Sequence, residues 1–249
     1  MNLGQPLAAG NTAVIYRLDD KIVKVFKEGF SKTESVYEAK KQASAYECGL
    51  DVPEIQEVIE ITGRQMIIME YIEGATLGEQ LLGDMGQADY YIDIFVREQQ
   101  AIHQVSVQET SIEWMTDKLS RQINSSDHLP ETMKELLLKR LNSLEFEPRL
   151  CHGDFHPFNV IMDKERLTII DWADSSLGDI RADVYRSFLL LSQSSVNIAQ
   201  KYLRRYCHLS GLSQEEVFKW APIIAGARLS EEIRLEDKKS LSKIIDTFI

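Results

Sequence analysis

Cysteine is scarce in this chain, and the three that occur are odd in number and far apart. Cys48, Cys151 and Cys207 show neither the paired spacing of a zinc site nor the dense framework of a disulfide-stapled secreted domain. We therefore interpret them as free thiols in a reducing compartment and expect a cytoplasmic protein.

Long apolar runs and basic clusters are missing too. One of the strongest apolar runs, Met66 to Met69, is far shorter than the roughly 20 residues that span a bilayer. The N-terminal sequence has no basic segment followed by an apolar core, so it shows no secretory signal. The formal net charge is −11, and no Lys/Arg run marks a nucleic-acid or membrane surface. We expect neither of those partners, and no protein partner is evident.

The chain has enough hydrophobic residues for a sizeable core. Its 249 residues are 44% hydrophobic, which allows one large domain or two lobes. The most informative stretch is Cys151–Trp172, in which two short apolar runs flank a polar turn at 163–166. This pattern predicts a β-hairpin.

Three polar residues of this stretch point to phosphoryl transfer. A hairpin brings its ends together, so Asn159 and Asp171 are expected side by side. Amide and carboxylate oxygens are suitable ligands for Mg²⁺, with triphosphate oxygens and water completing the set. Asp154 precedes them and is expected to accept the proton of an attacking hydroxyl.

The same residues form a known signature. The series His152-Gly153-Asp154-x-x-x-x-Asn159, followed by Ile170-Asp171-Trp172, resembles the catalytic core of the aminoglycoside phosphotransferase and choline kinase group. The resemblance implies an α+β, two-lobed, protein-kinase-like fold with ATP and Mg²⁺. Its N-terminal nucleotide-binding lobe, residues 1–70, is expected to hold a five-stranded antiparallel sheet and one helix. The larger lobe, residues 71–249, is expected to be mainly helical and to bind the acceptor.

The first lobe begins with strand patterns around a loop at Gly10, Asn11 and Thr12. An ordinary hairpin turn and a loop whose backbone N–H groups cover phosphates both fit this loop. The resemblance implies that these three residues contact the nucleotide.

Lys24 is a single charge in an apolar strand pattern. It is either an edge-strand lysine facing solvent or a lysine that neutralises nucleotide phosphates and is held by a carboxylate. The helical stretch from Ser31 to Gly49 offers that carboxylate. The resemblance implies a pair between Lys24 and Glu38, with Glu34 as the alternative.

A second hairpin is predicted before residue 70, and the pattern then changes from strand to helix. In the related kinases this hinge binds adenine through backbone atoms. The resemblance implies that the carbonyl of Glu70 and the N–H of Ile72 do so here.

The second lobe shows repeated helical patterns, with two final helices expected around 194–207 and from 213 to the C-terminus. His103 and Asp183 are interpreted as structural residues that support the catalytic loop by hydrogen bonding. The segment between Asp171 and the next helix is short. It leaves no room for a peptide platform, so a small-molecule hydroxyl acceptor is favoured.

Three acidic residues led to an expectation about this acceptor. Asp174 follows the metal carboxylate, and Glu232 and Glu236 are predicted on one face of the last helix. If that helix lines the cleft, these acids make the acceptor pocket negative, which favours a cationic acceptor such as an aminoglycoside or another amino alcohol; the alternative is a solvated helix face. The alternatives are a metabolite kinase for choline, homoserine or a sugar, and a catalytically silent nucleotide-binding scaffold.

Overall fold

The computed structural model describes residues 3–10, 12–29, 33–106, 112–164 and 166–248. It divides into two compact units. Unit 1 comprises Met1–Gly83, Thr110–Ile112 and Pro157–Asp174, and unit 2 comprises Asp84–Glu109, Glu113–His156 and Ser175–Ile249. Beyond residue 70, unit 1 therefore includes the hairpin that carries Asn159 and Asp171.

The strands of the described ranges are short. They are β1 (Ala8–Ala9), β2 (Ala13–Leu18), β3 (Lys21–Phe26), β4 (Ile55–Ile61), β5 (Arg64–Glu70), β6 (Ala75–Thr76), β7 (Arg149–Cys151), β8 (Val160–Asp163), β9 (Arg166–Ile169) and β10 (Ser176–Gly178).

The helices lie mainly in unit 2. They are α1 (Glu34–Glu47), α2 (Leu77–Gly83), α3 (Ala88–Gln104), α4 (Met115–Ser125), α5 (Glu131–Asn142), α6 (Ile180–Ser194), α7 (Val196–Ser210), α8 (Gln214–Phe218), α9 (Ala221–Arg228) and α10 (Leu235–Phe248). Within the described ranges, none has the length and apolar character that a bilayer crossing requires.

The predicted five-stranded antiparallel sheet is present in unit 1, in the order β1-β2-β3-β5-β4. Side chains alternate between the faces of a strand. Val23, Val25, Met66 and Ile68 accordingly pack together in one cluster. Phe26, Ile67 and Met69 pack with Ala39 of α1 in another. Helix α1 thus covers one face of the sheet.

The predicted hairpin is β8 and β9, whose pairing runs from Val160 with Ile169 to Asp163 with Arg166. Asp163 and Arg166, which were predicted in the polar turn, are the last pair of the ladder, and Glu165 lies outside the described residues. Asp51 connects the hairpin to the rest of unit 1. The backbone N–H of Ile169 donates to the carbonyl oxygen of Asp51 at 2.8 Å, and Arg166 binds the Asp51 carboxylate at 2.8 Å.

Unit 2 is helical around a two-stranded antiparallel ladder of β7 and β10. Its largest fully buried side chains include Trp220, Tyr185, Tyr202 and Phe95. The indole N–H of Trp220 donates a hydrogen bond to the Asp179 carboxylate at 3.0 Å, so this buried donor has a partner. A helical core of this kind agrees with the repeated apolar patterns of the sequence.

Three helix predictions need correction. Helix α1 begins at Glu34 with Thr33 at its N-cap, and Ser31 lies outside the described residues. The helix expected around 194–207 is α7, with its bounds shifted to Val196–Ser210 and Ser195 at its N-cap. The single helix expected from residue 213 onward is three helices. Pro222 lies in the first turn of α9, where its missing N–H is tolerated, so a new helix begins there.

Gly74 provides a test of the contact between the start of β6 and the hairpin. Its φ is +134°, and an added Cβ would lie 2.5 Å from the carbonyl oxygen of Met162. We expect Gly74→Ala to lower the free energy of unfolding by about 1–3 kcal/mol, because both the backbone and the contact are strained. Urea unfolding measures this. Gly83→Ala is the control, since an added Cβ there meets open space; equal stability of both variants would contradict the expectation.

Candidate active site

Lys24 lies on the face of the sheet that α1 covers. Its side chain points to the same side as Ile22 and Phe26 because they are two residues away on the same strand. Its Nζ lies 2.5 Å from Oε1 of Glu38 and 3.2 Å from Oδ1 of Asp171. Lys24 is 8% exposed, so it is not the solvent-facing edge lysine of the alternative interpretation. Of the two candidate carboxylates on α1, Glu38 makes the contact.

Two carboxylates keep this buried ammonium charged. Burial by itself lowers the pKa of Lys24, but the negative charges of Asp171 and Glu38 together outweigh it and raise the pKa above the ordinary value. Lys24 is therefore a fixed positive charge. Its flexible stem is held on both sides, which suits a group that binds phosphate oxygens.

Asn159 and Asp171 lie at adjoining ends of the hairpin. The N–H of Ile170 donates to the carbonyl oxygen of Asn159 at 3.0 Å, which continues the β8–β9 ladder by one residue. Asp171 follows with a φ of +64°, in the left-handed region that aspartate tolerates better than most residues. Asn159 is buried, whereas 47% of the Asp171 side chain is exposed. Both offer oxygen ligands to a divalent metal.

The loop at residues 10–12 is partly engaged in a hairpin turn. The N–H of Gly10 donates to the carbonyl oxygen of Ala13 at 2.9 Å, so this N–H is used within the loop. The carbonyl oxygen of Thr12 accepts from the N–H of Lys27 at 2.9 Å. Asn11 lies outside the described residues.

The predicted adenine-binding hinge lies at the end of β5. Glu70 is the last residue of this strand, and its N–H donates to the carbonyl oxygen of Glu54 at 3.0 Å. Ile72 is buried two residues later. The next backbone N–H, that of Tyr71, donates to the carbonyl oxygen of Asp20 at 3.1 Å, which holds the start of the hinge against the turn between β2 and β3.

In unit 2, the buried carboxylate of Asp183 supports the loop that carries Asp154. It accepts hydrogen bonds from the backbone N–H of Gly153 at 2.7 Å and of His152 at 3.3 Å. Gln99 donates to it at 3.1 Å, and Nε2 of His103 lies 2.9 Å from it. These contacts lower the pKa of Asp183 to about 2 against the opposing effect of burial, with His103 as the largest contributor. The structural roles expected for His103 and Asp183 agree with this geometry.

Asp154 itself lies between a histidine and an arginine. Its Oδ2 is 3.6 Å from Nε2 of His156, and its Oδ1 is 3.2 Å from Nη2 of Arg186. Burial alone raises the pKa of Asp154, but His156 and then Arg186 outweigh it and hold the pKa well below the ordinary value. The carboxylate is ionised at neutral pH, and 26% of its side chain is exposed.

Arg186 is a site residue that sequence reasoning missed. Its Nε donates to the carbonyl oxygen of Gly153 at 3.1 Å, and its Nη1 donates to Glu231 at 2.9 Å. The available signal was its spacing, because a residue three positions after Asp183 lies on a neighbouring part of the same helix face. Lys41 was also missed. It is buried in α1 and donates to the carbonyl oxygen of Ala173 at 2.7 Å.

The acidic residues used to predict a cationic acceptor are arranged differently from the expectation. Helix α10 begins at Leu235, so Glu232 precedes it and does not share a helix face with Glu236. Glu232 and Glu236 are exposed, and Asp174 is half-buried in unit 1. Glu231 is engaged by Arg186. The helical premise was therefore wrong, and a cationic acceptor remains only a prediction.

Sequence comparison identifies one family. The model of the phosphotransferase enzyme family matches residues 4–220. Among curated proteins, none matches this sequence.

Several solved structures share the fold. A thermostable aminoglycoside phosphotransferase APH(4)-Ia mutant, in a ternary complex with AMP-PNP and hygromycin B, has a TM-score of 0.73 at 15% identity, covering 98% of this chain and 92% of that one. Amicoumacin kinase hAmiN, in complex with AMP-PNP, Ca²⁺ and Ami, has a TM-score of 0.65 at 14% identity, covering 98% and 87%. A choline/ethanolamine kinase family protein from Mesorhizobium loti has a TM-score of 0.61 at 18% identity, covering 98% and 84%. The predicted protein-kinase-like fold is thus confirmed.

The Asp183 network predicts a specific acid sensitivity. A carboxylate whose pKa is about 2 in the folded chain, against about 3.9 when unfolded, stabilises the fold above the unfolded value. That contribution is lost as pH falls through the folded value. We expect the free energy of unfolding of wild type to fall more steeply between pH 4 and 2 than that of Asp183→Asn. Asp246→Asn, at an exposed position, should decline like wild type; parallel declines of Asp183→Asn and wild type would contradict the role.

Proposed function

The chain belongs to the phosphotransferase enzyme family, and we propose that it transfers the γ-phosphate of ATP to a hydroxyl of a small molecule. The observation that carries this proposal is the buried Lys24, held between Glu38 and Asp171 with Asn159 on the same hairpin. This set combines a fixed positive charge with oxygen ligands. Triphosphate binding through a divalent metal requires that combination.

In the proposed reaction Lys24 binds phosphate oxygens of the nucleotide. Glu38 keeps its stem in place, so less side-chain entropy is lost when the nucleotide binds. The loop at Gly10, Asn11 and Thr12 is proposed to contact the nucleotide as well, although the Gly10 N–H already has a partner within the loop. The backbone of Glu70 and Ile72 is proposed to bind adenine.

Asn159 and Asp171 would hold Mg²⁺. The donor set fits this ion, since both residues present oxygen ligands and the exposed Asp171 leaves room for phosphate and water. Mg²⁺, when bound, supplies charge neutralisation for the transferred phosphoryl group. Asp171 also contacts Lys24. The proposed metal ligand and the proposed phosphate-binding lysine therefore hold each other in position.

Asp154 is proposed to orient the acceptor hydroxyl and to take its proton. Its pKa lies well below neutrality, so it is ready to accept a hydrogen bond but is a weak base. A weak base suffices because the transition state of phosphoryl transfer is loose, and the hydroxyl proton is lost late. His156 and Arg186 keep the carboxylate ionised, and Arg186 also holds it in place.

The candidate acceptors are those expected from the sequence. An aminoglycoside or another amino alcohol is one group, and choline, homoserine or a sugar are the others. The solved relatives are named for aminoglycosides, amicoumacin and choline or ethanolamine, which supports a small-molecule acceptor without selecting one. A silent scaffold is disfavoured because Lys24, Glu38, Asp154, Asn159 and Asp171 are all present. ATP consumption across a panel of these compounds tests the proposal.

The role of Asp154 predicts a selective loss of turnover. A positioned general base contributes on the order of 10²–10⁴ in rate, so Asp154→Ala should lower kcat by that factor. Its affinity for Mg·ATP should change little, since Asp154 binds the acceptor. Steady-state kinetics and calorimetry measure the two quantities. Near-full turnover in the variant would remove Asp154 from the mechanism.

The role of Asp171 predicts a loss of metal-dependent binding. Asp171→Ala removes a metal ligand and one partner of Lys24, so Mg²⁺ should no longer strengthen ATP binding. Calorimetry with and without Mg²⁺ measures this effect. Glu57→Ala is the control, because it removes an exposed acid of β4 in the same unit. Equal Mg·ATP affinity of wild type and Asp171→Ala would exclude a metal-binding role.

A further inference from the structure

Two buried arginines share one carboxylate next to Asp154, and all four residues belong to unit 2. Arg186 reaches Oε1 of Glu231 at 2.9 Å, and Nε of Arg228 reaches its Oε2 at 3.3 Å. Nη2 of Arg186 also lies 3.2 Å from Asp154. A single guanidinium group, that of Arg186, therefore contacts both the Glu231 carboxylate and the proposed base.

Arg228 has more donors than acceptors around it. Its side chain is only 7% exposed, and its Nη1 is buried without a hydrogen-bond partner. A guanidinium carries five N–H donors, and buried donors nearly always find an acceptor. Burial and then the nearby charge of Arg186 lower the pKa of Arg228, yet arginine keeps its proton in proteins. The two guanidinium groups are balanced by the carboxylates of Glu231 and Asp154, but one buried donor of Arg228 lacks an acceptor.

We infer that the acceptor carries a carboxylate, which binds to Arg186 and Arg228 while its hydroxyl faces Asp154. The inference rests on the proposed function and narrows its acceptor to a hydroxy acid. The precedent is Glu231, whose carboxylate occupies the position between the two guanidinium groups. Paired N–H donors of arginine match the two oxygens of a carboxylate.

Glu231 is the residue that must give way. It lies in the connection between α9 and α10, and 28% of its side chain is exposed. Since Nη1 of Arg228 is closed to solvent, the acceptor reaches it when Glu231 withdraws. Glu231 is thus an internal competitor for the carboxylate of the acceptor.

The same cluster disfavours a cationic acceptor. An ammonium group beside Asp154 would lie near two guanidinium groups, and like charges in a buried site are repulsive. Glu231, the acid closest to Asp154 by these contacts, is already neutralised. The distance is also informative, because Arg186 bridges Asp154 and Glu231. A hydroxy acid of a few carbons is therefore long enough to place its hydroxyl at Asp154 and its carboxylate at the two arginines.

A matched series of acceptors tests the inference on the full chain. 4-Hydroxybutyrate, 1,4-butanediol and 4-amino-1-butanol have equal length and differ in charge. We expect the highest kcat/KM for 4-hydroxybutyrate, with a shorter series based on 3-hydroxypropionate covering a smaller site. A higher kcat/KM for the amine or the diol in both series would support phosphotransfer but overturn the carboxylate assignment.

Variants separate binding from structure. Arg228→Gln should weaken 4-hydroxybutyrate binding about tenfold to a hundredfold, the size of a charge-assisted hydrogen bond, mainly through KM, and should leave 1,4-butanediol little changed. Glu231→Gln should strengthen 4-hydroxybutyrate binding, because the internal competitor loses its charge. Arg234→Gln is the control, since that side chain is 74% exposed. A merely structural cluster would weaken all acceptors alike in both Arg228→Gln and Glu231→Gln, and that result would overturn the inference.

Calorimetric binding of 4-hydroxybutyrate, or of 3-hydroxypropionate if the site is smaller, keeps the two proposals distinguishable. Binding that is lost in Arg228→Gln but kept in Arg234→Gln supports the inference even if no ATP is consumed, an outcome that would count against the proposed function. Absence of both binding and turnover with both hydroxy acids overturns the inference. If Arg228→Gln does not fold, Glu231→Gln decides: stronger binding supports the carboxylate site, and equal or weaker binding overturns it.

Discussion

The buried carboxylate of Asp183 is the interaction on which the Asp154 loop depends. Two consecutive backbone N–H groups, of His152 and Gly153, donate to it, while Gln99 and His103 hold it from α3. A buried charge is tolerated only when hydrogen bonds replace its hydration. A shift of the loop would remove two of the hydrogen bonds to Asp183, and this constraint positions Asp154, which directly follows Gly153.

Unit 1 also contains a buried charge that needs compensation, and in this case the charge is positive. The ammonium of Lys24 is buried in the sheet face under α1, and Glu38 and Asp171 compensate it. Asp171 arrives from a distant part of the sequence because the hairpin is attached to Asp51 by backbone and side-chain bonds. In both units, a buried charge ties a candidate functional residue to a rigid element. The positions of Asp154 and Asp171 are thus fixed by electrostatic interactions with buried charges.

Much of this could be predicted from the sequence, and the exceptions have physical reasons. The β8–β9 hairpin followed from two short apolar runs on either side of a polar turn, and that hairpin alone was enough to bring Asn159 beside Asp171. For the Gly10 loop, the sequence did not decide between an ordinary hairpin turn and a loop that covers phosphates, since backbone donors leave no side-chain pattern. The break between α9 and α10 was missed because residues 229–234 contain no proline or glycine. That error placed Glu232 on one helix face with Glu236, although Glu232 precedes α10.

The charged groups near Asp154 bear on whether the acceptor is cationic or carries a carboxylate. A chain with a net charge of −11 attracts cations at long range, and such attraction is screened by salt within about 8 Å at physiological ionic strength. Contacts inside the site act at shorter distances and are screened less. His156 and Arg186 stabilise the ionised Asp154, and Arg186 with Arg228 also holds the Glu231 carboxylate close to it. For a ligand bound in the proposed acceptor site, these contacts would therefore outweigh the long-range field.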